Sequence, residues 1–145
     1  MSSSNLFVYG SLLNRKVFQA VTGIVPKYQR AVLRNYKRTR LRDRVYPGIV
    51  KASDCFVAGS LVIDLDPMTV DALDFFEDDV YVKKPVSVSK AEGEGVKSFA
   101  YVLSPEYIYW VVDEEWDLSE FEESHLDSYL VGCKKFSDSL ARRGS

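Results

Sequence analysis

Phe7-Val8-Tyr9-Gly10-Ser11-Leu12-Leu13 is the stretch on which the fold turns. The apolar run that opens at Asn5 and ends at Tyr9 reads as a buried strand. Gly10-Ser11 ends it, and the chain passes into a helix. Asn14 can cap that helix, which runs through Thr22 with Val17, Phe18 and Val21 on one face, and Gly23 supplies its stop. A strand-to-helix turn of this kind exposes successive backbone N–H groups beside a Ser hydroxyl. Glycine lets a ligand approach the main chain closely. The turn is therefore either a pocket for a carboxylate or a developing oxyanion, or an ordinary connection between two elements.

Outward from this point the pattern stays mixed. Pro26 breaks the chain, and Tyr28 to Arg40 reads as a long, half-exposed strand anchored by Val32, Leu33 and Tyr36. Tyr46-Pro47-Gly48 is a turn signal, followed by a short Ile49-Val50 strand. Phe56 to Leu65 reads as a strand whose Gly59 marks a bulge or a close backbone contact. Asp66-Pro67 starts a helix that runs to about Phe76, with Asp as N-cap and Pro at the first helical position. Tyr81–Ser89 and Val96–Leu103 read as a hairpin around the Gly-containing turn Ala91–Gly95. Tyr107–Val112 is a strand or core segment. Asp117 then caps the longest helix, to about Leu140, with Leu118, Phe121, Leu126, Tyr129, Leu130, Cys133, Phe136 and Leu140 forming one stripe. Strands and helices do not alternate as repeating βαβ units. The expected class is α+β: a small mixed β-barrel or strongly curved sheet with flanking helices and a long C-terminal helix.

Composition agrees with one folded domain. The 145 residues are 46% hydrophobic and 28% charged, which excludes disorder of the whole chain. Eight Gly, five Pro and two Cys exclude collagen-like and disulfide-scaffold classes. A single domain over 1–145 is expected, with a core at 5–140 and loose tails at 1–4 and 141–145. No run approaches the roughly 18 apolar residues of a membrane span, and the N-terminus lacks the basic and apolar regions of a signal peptide. Cys55 and Cys133 read as reduced thiols, and the cytoplasm is the expected compartment. The net charge of -2 does not mark a polycation. The charge is segregated, however: Lys27 to Lys51 holds nine basic residues and one acid, whereas Ser98 to Cys133 holds nine acids and no Lys or Arg. Two solvated faces that attract each other in the fold account for this. An anionic ligand or a nucleic-acid patch at the basic segment are the alternatives.

Several chemistries lack their residues. There is no Gly-Lys-Ser/Thr phosphate loop, no dinucleotide-type Gly fingerprint and no nucleophile elbow. With one His, His125, a zinc site would need mainly carboxylates. His125 and Cys133 stand about 12 Å apart along one helix, too far for a dyad. What remains is Leu73-Asp-Phe-Phe-Glu77-Asp-Asp-Val-Tyr81. Glu77 falls at a helix C-terminus, beside Asp74, Asp78 and Asp79 and after two apolar rings. Each influence raises a carboxyl pKa, and a Glu so tuned can take up a proton in one step and return it in another. A solvated acidic helix end, or an acidic metal cluster with non-calcium-loop spacing, are the alternatives.

Taken together, Phe-Val-Tyr-Gly-Ser-Leu at 7–12, Tyr-Pro-Gly at 46–48, Gly59, and Phe76-Glu77 with Tyr81 four residues later resemble the γ-glutamylcyclotransferase-like superfamily. The C-terminal His125-Leu-Asp-Ser-Tyr129 and Cys133 resemble its plant avirulence-induced (AIG2-like) branch. The resemblance covers about Asn5 to Leu140. It implies a small β-barrel with flanking helices, and cofactor-free, metal-free cleavage of γ-glutamyl amides to 5-oxoproline and a free amine. It implies Glu77 as the catalytic acid/base, Val8, Tyr9, Gly10, Ser11, Leu12 and Leu13 as the loop that holds the glutamyl head group, and Tyr81 and Tyr101 as aromatic residues near the pocket. The implied partner is a small γ-glutamyl amine, with no nucleic acid and no membrane, and a monomer is the expected state. Two positions depart from the family's pattern: Lys83 where members often carry Arg, and Asp78 where many carry Gly. Lys keeps the charge but loses the planar fork. A catalytically weak relative that binds a glutamyl-like metabolite in a defence or stress response is the alternative, followed by a protein-interaction domain using the acidic helix.

Overall fold

The structure is a computed structural model and describes residues 4–91 and 93–143. Five strands close into a barrel: β1 (Ser4–Val8), β2 (Gln29–Leu41), β3 (Pro47–Leu65), β4 (Tyr81–Lys90) and β5 (Gly95–Leu103). The order β3-β1-β5-β4-β2 returns to β3 through the β2–β3 hairpin, and a two-residue strand β6 (Val111–Val112) is appended to β2 at Arg40-Leu41. β1 lies antiparallel to β3 and parallel to β5, where Leu6 faces Phe99. Four helices flank the barrel: α1 (Arg15–Thr22), α2 (Pro67–Glu77), α3 (Leu118–Ser124) and α4 (Leu126–Arg143). This is the α+β barrel that the sequence pattern predicts. No helix among the described residues is long and apolar enough to cross a membrane.

Alternation along the strands divides the core in two. Phe7, Tyr9, Leu33, Ile49, Val57, Leu61, Val88, Ala100 and Val102 fill the barrel. The opposite faces of the same strands, Leu6, Val8, Val62 and Tyr101, pack on Val17, Phe18, Val21, Val70, Leu73, Phe121 and Cys133 of the helices. β1 is therefore buried on both sides, which is why it is continuously apolar rather than alternating. Asn14 caps α1 by accepting from the N–H of Lys16 and Val17 at 3.0 and 3.1 Å, and Gly23 ends it with φ 77°. Asp66 Oδ1 accepts from the Thr69 N–H at 2.8 Å and so caps α2. Gly59 answers the second of the two roles open to it: a Cβ there would lie 2.3 Å from the Val8 carbonyl oxygen.

Three segments differ from the sequence expectation. Ile49-Val50 and Phe56–Leu65 are one 19-residue strand, β3. Lys51–Cys55 is polar and largely exposed, so it carries no core alternation, but it stays extended with Asp54 at φ 63°. Opposite it, β2 slips register between Arg34 and Tyr36, with Asn35 at φ 66°, and the hairpin bends there. Tyr107–Val112 is not one strand: Pro105–Trp110 is a 3-10 helix and only Val111–Val112 pairs. The expected long helix breaks at His125, whose φ of -129° ends α3 and restarts the chain as α4. The break keeps Phe121 and Tyr129 on the body, ring centroids 5.2 Å apart and near-perpendicular. Of the loose tails expected at 1–4 and 141–145, residues 1–3 and 144–145 lie outside the described residues; Ser4 begins β1, and α4 continues to Arg143.

Candidate active site

β1 ends against a cavity of about 440 Å³ that the α2 C-terminus and one face of α4 complete. Val8, Tyr9, Gly10, Ser11 and Leu12 form one wall. Beyond Gly10 the chain makes a 3-10 turn, Ser11–Leu13, in which Leu13 N–H donates to the Gly10 carbonyl at 2.9 Å and Asn14 N–H to that of Ser11 at 3.0 Å. The N–H groups of Ser11 and Leu12 open this turn and have no partner within it. Three side chains hold the turn from outside. Arg38 Nη1 donates to the Tyr9 carbonyl at 2.8 Å, the Tyr28 hydroxyl donates to the Leu12 carbonyl at 2.6 Å, and Ser11 Oγ and the Tyr129 hydroxyl share a hydrogen bond at 3.0 Å. Gly10 is required by Pro47, since a Cβ at position 10 would lie 2.8 Å from the proline Cγ. Leu13 is not brought to the cavity; it packs against the core between barrel and helices.

Glu77 is the last residue of α2 and lines the same cavity. Burial pushes its carboxyl pKa up from 4.5 to about 8. The sequence points to three causes, helix dipole, neighbouring acids and apolar rings, but burial alone accounts for the shift. Asp74 is occupied elsewhere: it accepts from the Tyr101 hydroxyl at 2.7 Å and pairs with Lys83 at 3.0 Å. No hydrogen bond to the Glu77 carboxyl is formed among the described residues. Lys83, one of the two departures from the family pattern, is thus engaged on the surface and does not line the cavity.

Four phenols surround this carboxyl. Burial is the first cause that raises the pKa of Tyr9, Tyr81, Tyr101 and Tyr129, and the charge of Glu77 adds to each. All four stay protonated and spend their hydroxyls on the protein. Tyr9 donates to the Tyr101 carbonyl at 2.5 Å and Tyr81 to the Pro47 carbonyl at 2.6 Å. Cys133 also lines the cavity, and burial pushes its thiol up to about 11, so it is not a thiolate at neutral pH. Glu77 is the one lining group, among the described residues, that titrates near neutrality.

Of the residues singled out in the sequence, the structure gathers Val8–Leu12, Glu77, Tyr81 and Tyr101 around one cavity. Sequence reasoning on the site missed Phe7, Tyr46, Pro47, Phe76, Val80, Ser128, Tyr129, Gly132 and Cys133. The α4 members are spaced as one helix face, but that spacing also describes a core stripe, and Tyr129 and Cys133 read as such. Among the described residues no Lys or Arg of the basic segment lines the cavity, although Tyr46 and Pro47 of that segment do and Arg38 holds the Tyr9 carbonyl beside it. Lys37 pairs with Asp113 at 3.1 Å and Arg40 with Glu114 at 3.7 Å, so part of the segregated charge is satisfied within the chain.

A closed five-strand barrel with flanking helices is a fold with solved members. A structure described as gamma-glutamyl cyclotransferase matches with a TM-score of 0.65 at 17% identity, over 92% of this chain and 87% of that one, which establishes the shared fold. A solution structure of an Arabidopsis thaliana protein matches with a TM-score of 0.68 at 28% identity, over 93% and 82%. In sequence, AIG2-like protein C of Arabidopsis thaliana is 32% identical over 137 residues, 91% of this chain and 77% of that protein. The family model described as "Gamma-glutamyl cyclotransferase, AIG2-like" matches residues 6–118, and the chain belongs to this family.

Proposed function

We propose that the protein is a γ-glutamyl cyclotransferase, which closes the γ-glutamyl group of a γ-glutamyl amine to 5-oxoproline and releases the free amine, with Glu77 as acid and base. The observation that carries this is a single buried carboxyl, raised to about 8, in a cavity shared with the Gly10-Ser11 turn. The substrate's own α-amino nitrogen is the nucleophile, so the protein need supply no Ser or Cys. Glu77 takes a proton from the α-ammonium group. A carboxylate raised to about 8 is a far better acceptor for this proton than an ordinary Glu, so the transfer costs less. The freed nitrogen attacks the γ-carbonyl carbon, and ring closure gains from proximity. As the lactam C–N bond forms, the original amide C–N bond breaks: protonated Glu77 gives its proton to the departing nitrogen, takes the second proton from the ring nitrogen, and passes it to the released amine, which leaves as an ammonium ion with Glu77 again ionised. The N–H groups of Ser11 and Leu12 supply donors for the oxyanion or the α-carboxylate.

The test is 5-oxoproline release from a panel of γ-glutamyl amines by wild type and Glu77→Gln. Release by wild type alone supports both the reaction and the role of Glu77. Equal release by both removes Glu77 from the mechanism. A relative that binds without turnover is the second reading, favoured by the engagement of Lys83 with Asp74; binding of the panel without release selects it.

A further inference from the structure

We propose that Gly132 holds open a subsite for the departing amine, and that this subsite takes an uncharged aromatic or apolar substituent. The inference rests on the cyclotransferase reading and names the substrate class of that site. Gly132 lies inside the 18-residue α4, where glycine is a poor helix former. The usual structural reason for such a glycine is close packing, and it is absent here: a Cβ at position 132 meets nothing within 4 Å. Its φ is not in the left-handed region either. What Gly132 does have is a place on the cavity wall. Together with Ser128, one turn earlier, it is exposed at the rim, whereas Tyr129 and Cys133 on the same face lie deeper. Two small residues at i and i+4 leave a notch in the wall of a cavity that the Phe76 and Tyr129 rings, edge-on at 6.4 Å, also line.

The chemistry of the lining selects the occupant. Among the described residues no Lys, Arg or His lines the cavity, and its one charged group is Glu77. A departing amine that carries its own carboxylate finds no cation in this lining to offset the loss of its water. Aromatic side chains, by contrast, offer flat apolar surface that an uncharged ring or alkyl group covers favourably.

The experiment compares γ-glutamyl benzylamide, γ-glutamyl methylamide, γ-glutamylglycine and the γ-glutamyl conjugate of a lysine side chain. Turnover is read as 5-oxoproline release by wild type and by Gly132→Leu, and binding is read by calorimetry on Glu77→Gln with and without Gly132→Leu. We expect kcat/KM for the benzylamide to exceed that for γ-glutamylglycine by about tenfold or more, which is about 1.4 kcal/mol. Gly132→Leu should lower the benzylamide-to-methylamide ratio by about tenfold while raising thermal stability, because a helix former replaces glycine in open space. A preference for γ-glutamylglycine or the lysine conjugate overturns the subsite. So does a ratio unmoved in Gly132→Leu. Benzylamide-selective binding that Gly132→Leu erases, without turnover by wild type, keeps the subsite and sinks the cyclotransferase reading. Turnover with the opposite preference does the reverse. No binding of any conjugate sinks both.

Discussion

Glu77→Gln exchanges the carboxyl for a neutral group of nearly the same shape, so any stability change that depends on pH reports the ionisation of this one residue. The folded protein holds the Glu77 proton to about pH 8, whereas the unfolded chain releases it near 4.5. Between those values the folded state binds more protons, so stability falls as pH rises through this window. The full cost of ionising the group in the fold is at most about 5 kcal/mol. Glu77 keeps partial solvent exposure, and relaxation of the cavity brings the working figure to about 2–4 kcal/mol. Urea unfolding of wild type and variant at pH 5 and pH 8.5 measures it. The variant should be the more stable at pH 8.5 by about 2–4 kcal/mol, and by less than about 1 kcal/mol at pH 5, with matching denaturant slopes. Contributions from every other titrating group cancel in the comparison. The wild-type kcat/KM should rise with pH up to about 8, since the base must be ionised in the free enzyme, and fall again where the substrate's α-ammonium group loses its proton. A stability difference that is the same at both pH values, or an activity plateau already reached at pH 6, refutes the raised pKa and with it the assigned role.

Gly59→Ala forces a Cβ to 2.3 Å from the Val8 carbonyl oxygen; the β1–β3 crossing should part, at a cost of about 3 kcal/mol or more in urea unfolding. Tyr129→Phe removes the hydrogen bond to Ser11 Oγ and should lower kcat/KM about tenfold while changing stability by no more than about 1 kcal/mol, so a proportionate loss of both would make the bond merely structural. Arg38→Met deletes the donor to the Tyr9 carbonyl and the stacking of the guanidinium on Trp116, centroid distance 5.5 Å; it should cost about 1–3 kcal/mol and lower kcat rather than raise KM, with Arg38→Lys recovering part of it. That expectation follows from the place of the Tyr9 carbonyl directly before the Gly10-Ser11 turn: the Arg38 donor fixes the planar peptide that leads into the Ser11 and Leu12 N–H groups.

The barrel was legible because its local signals agree: an apolar run ended by Gly-Ser, two N-caps at Asn14 and Asp66, and a hairpin around Ala91–Gly95. It was less legible where a distant contact overrides local chemistry. Lys51–Cys55 has no core-facing pattern, yet it remains strand because β2 pairs with β3 on both sides of it. The α3–α4 break has no Pro or Gly to announce it; His125 leaves helical geometry so that Phe121 and Tyr129 both face the body. In the site, Glu77 stood out by its position at a helix end, although the cause of its raised pKa is burial, which is a property of the assembled walls. The α4 wall was hidden because a face that lines a cavity and a face that packs a core have the same spacing.

The near absence of histidine follows from the same arrangement. On the proposed reading the site moves protons from one amine nitrogen to another, and a second titrating group would compete for them. Every candidate here is silenced by burial. The phenols of Tyr9, Tyr81 and Tyr101 donate to two carbonyls and a carboxylate, and that of Tyr129 shares its bond with Ser11. The Cys133 thiol stays protonated to about 11. Among the lining groups discussed, proton exchange near neutrality is thereby left to Glu77, whose affinity burial has moved toward that of an amine. A nucleophile supplied by the substrate asks the protein only for one such carboxyl and a turn of free N–H groups. Both lie at element ends, after β1 and at the last residue of α2, where the backbone leaves its ladder or helix and can face the cavity.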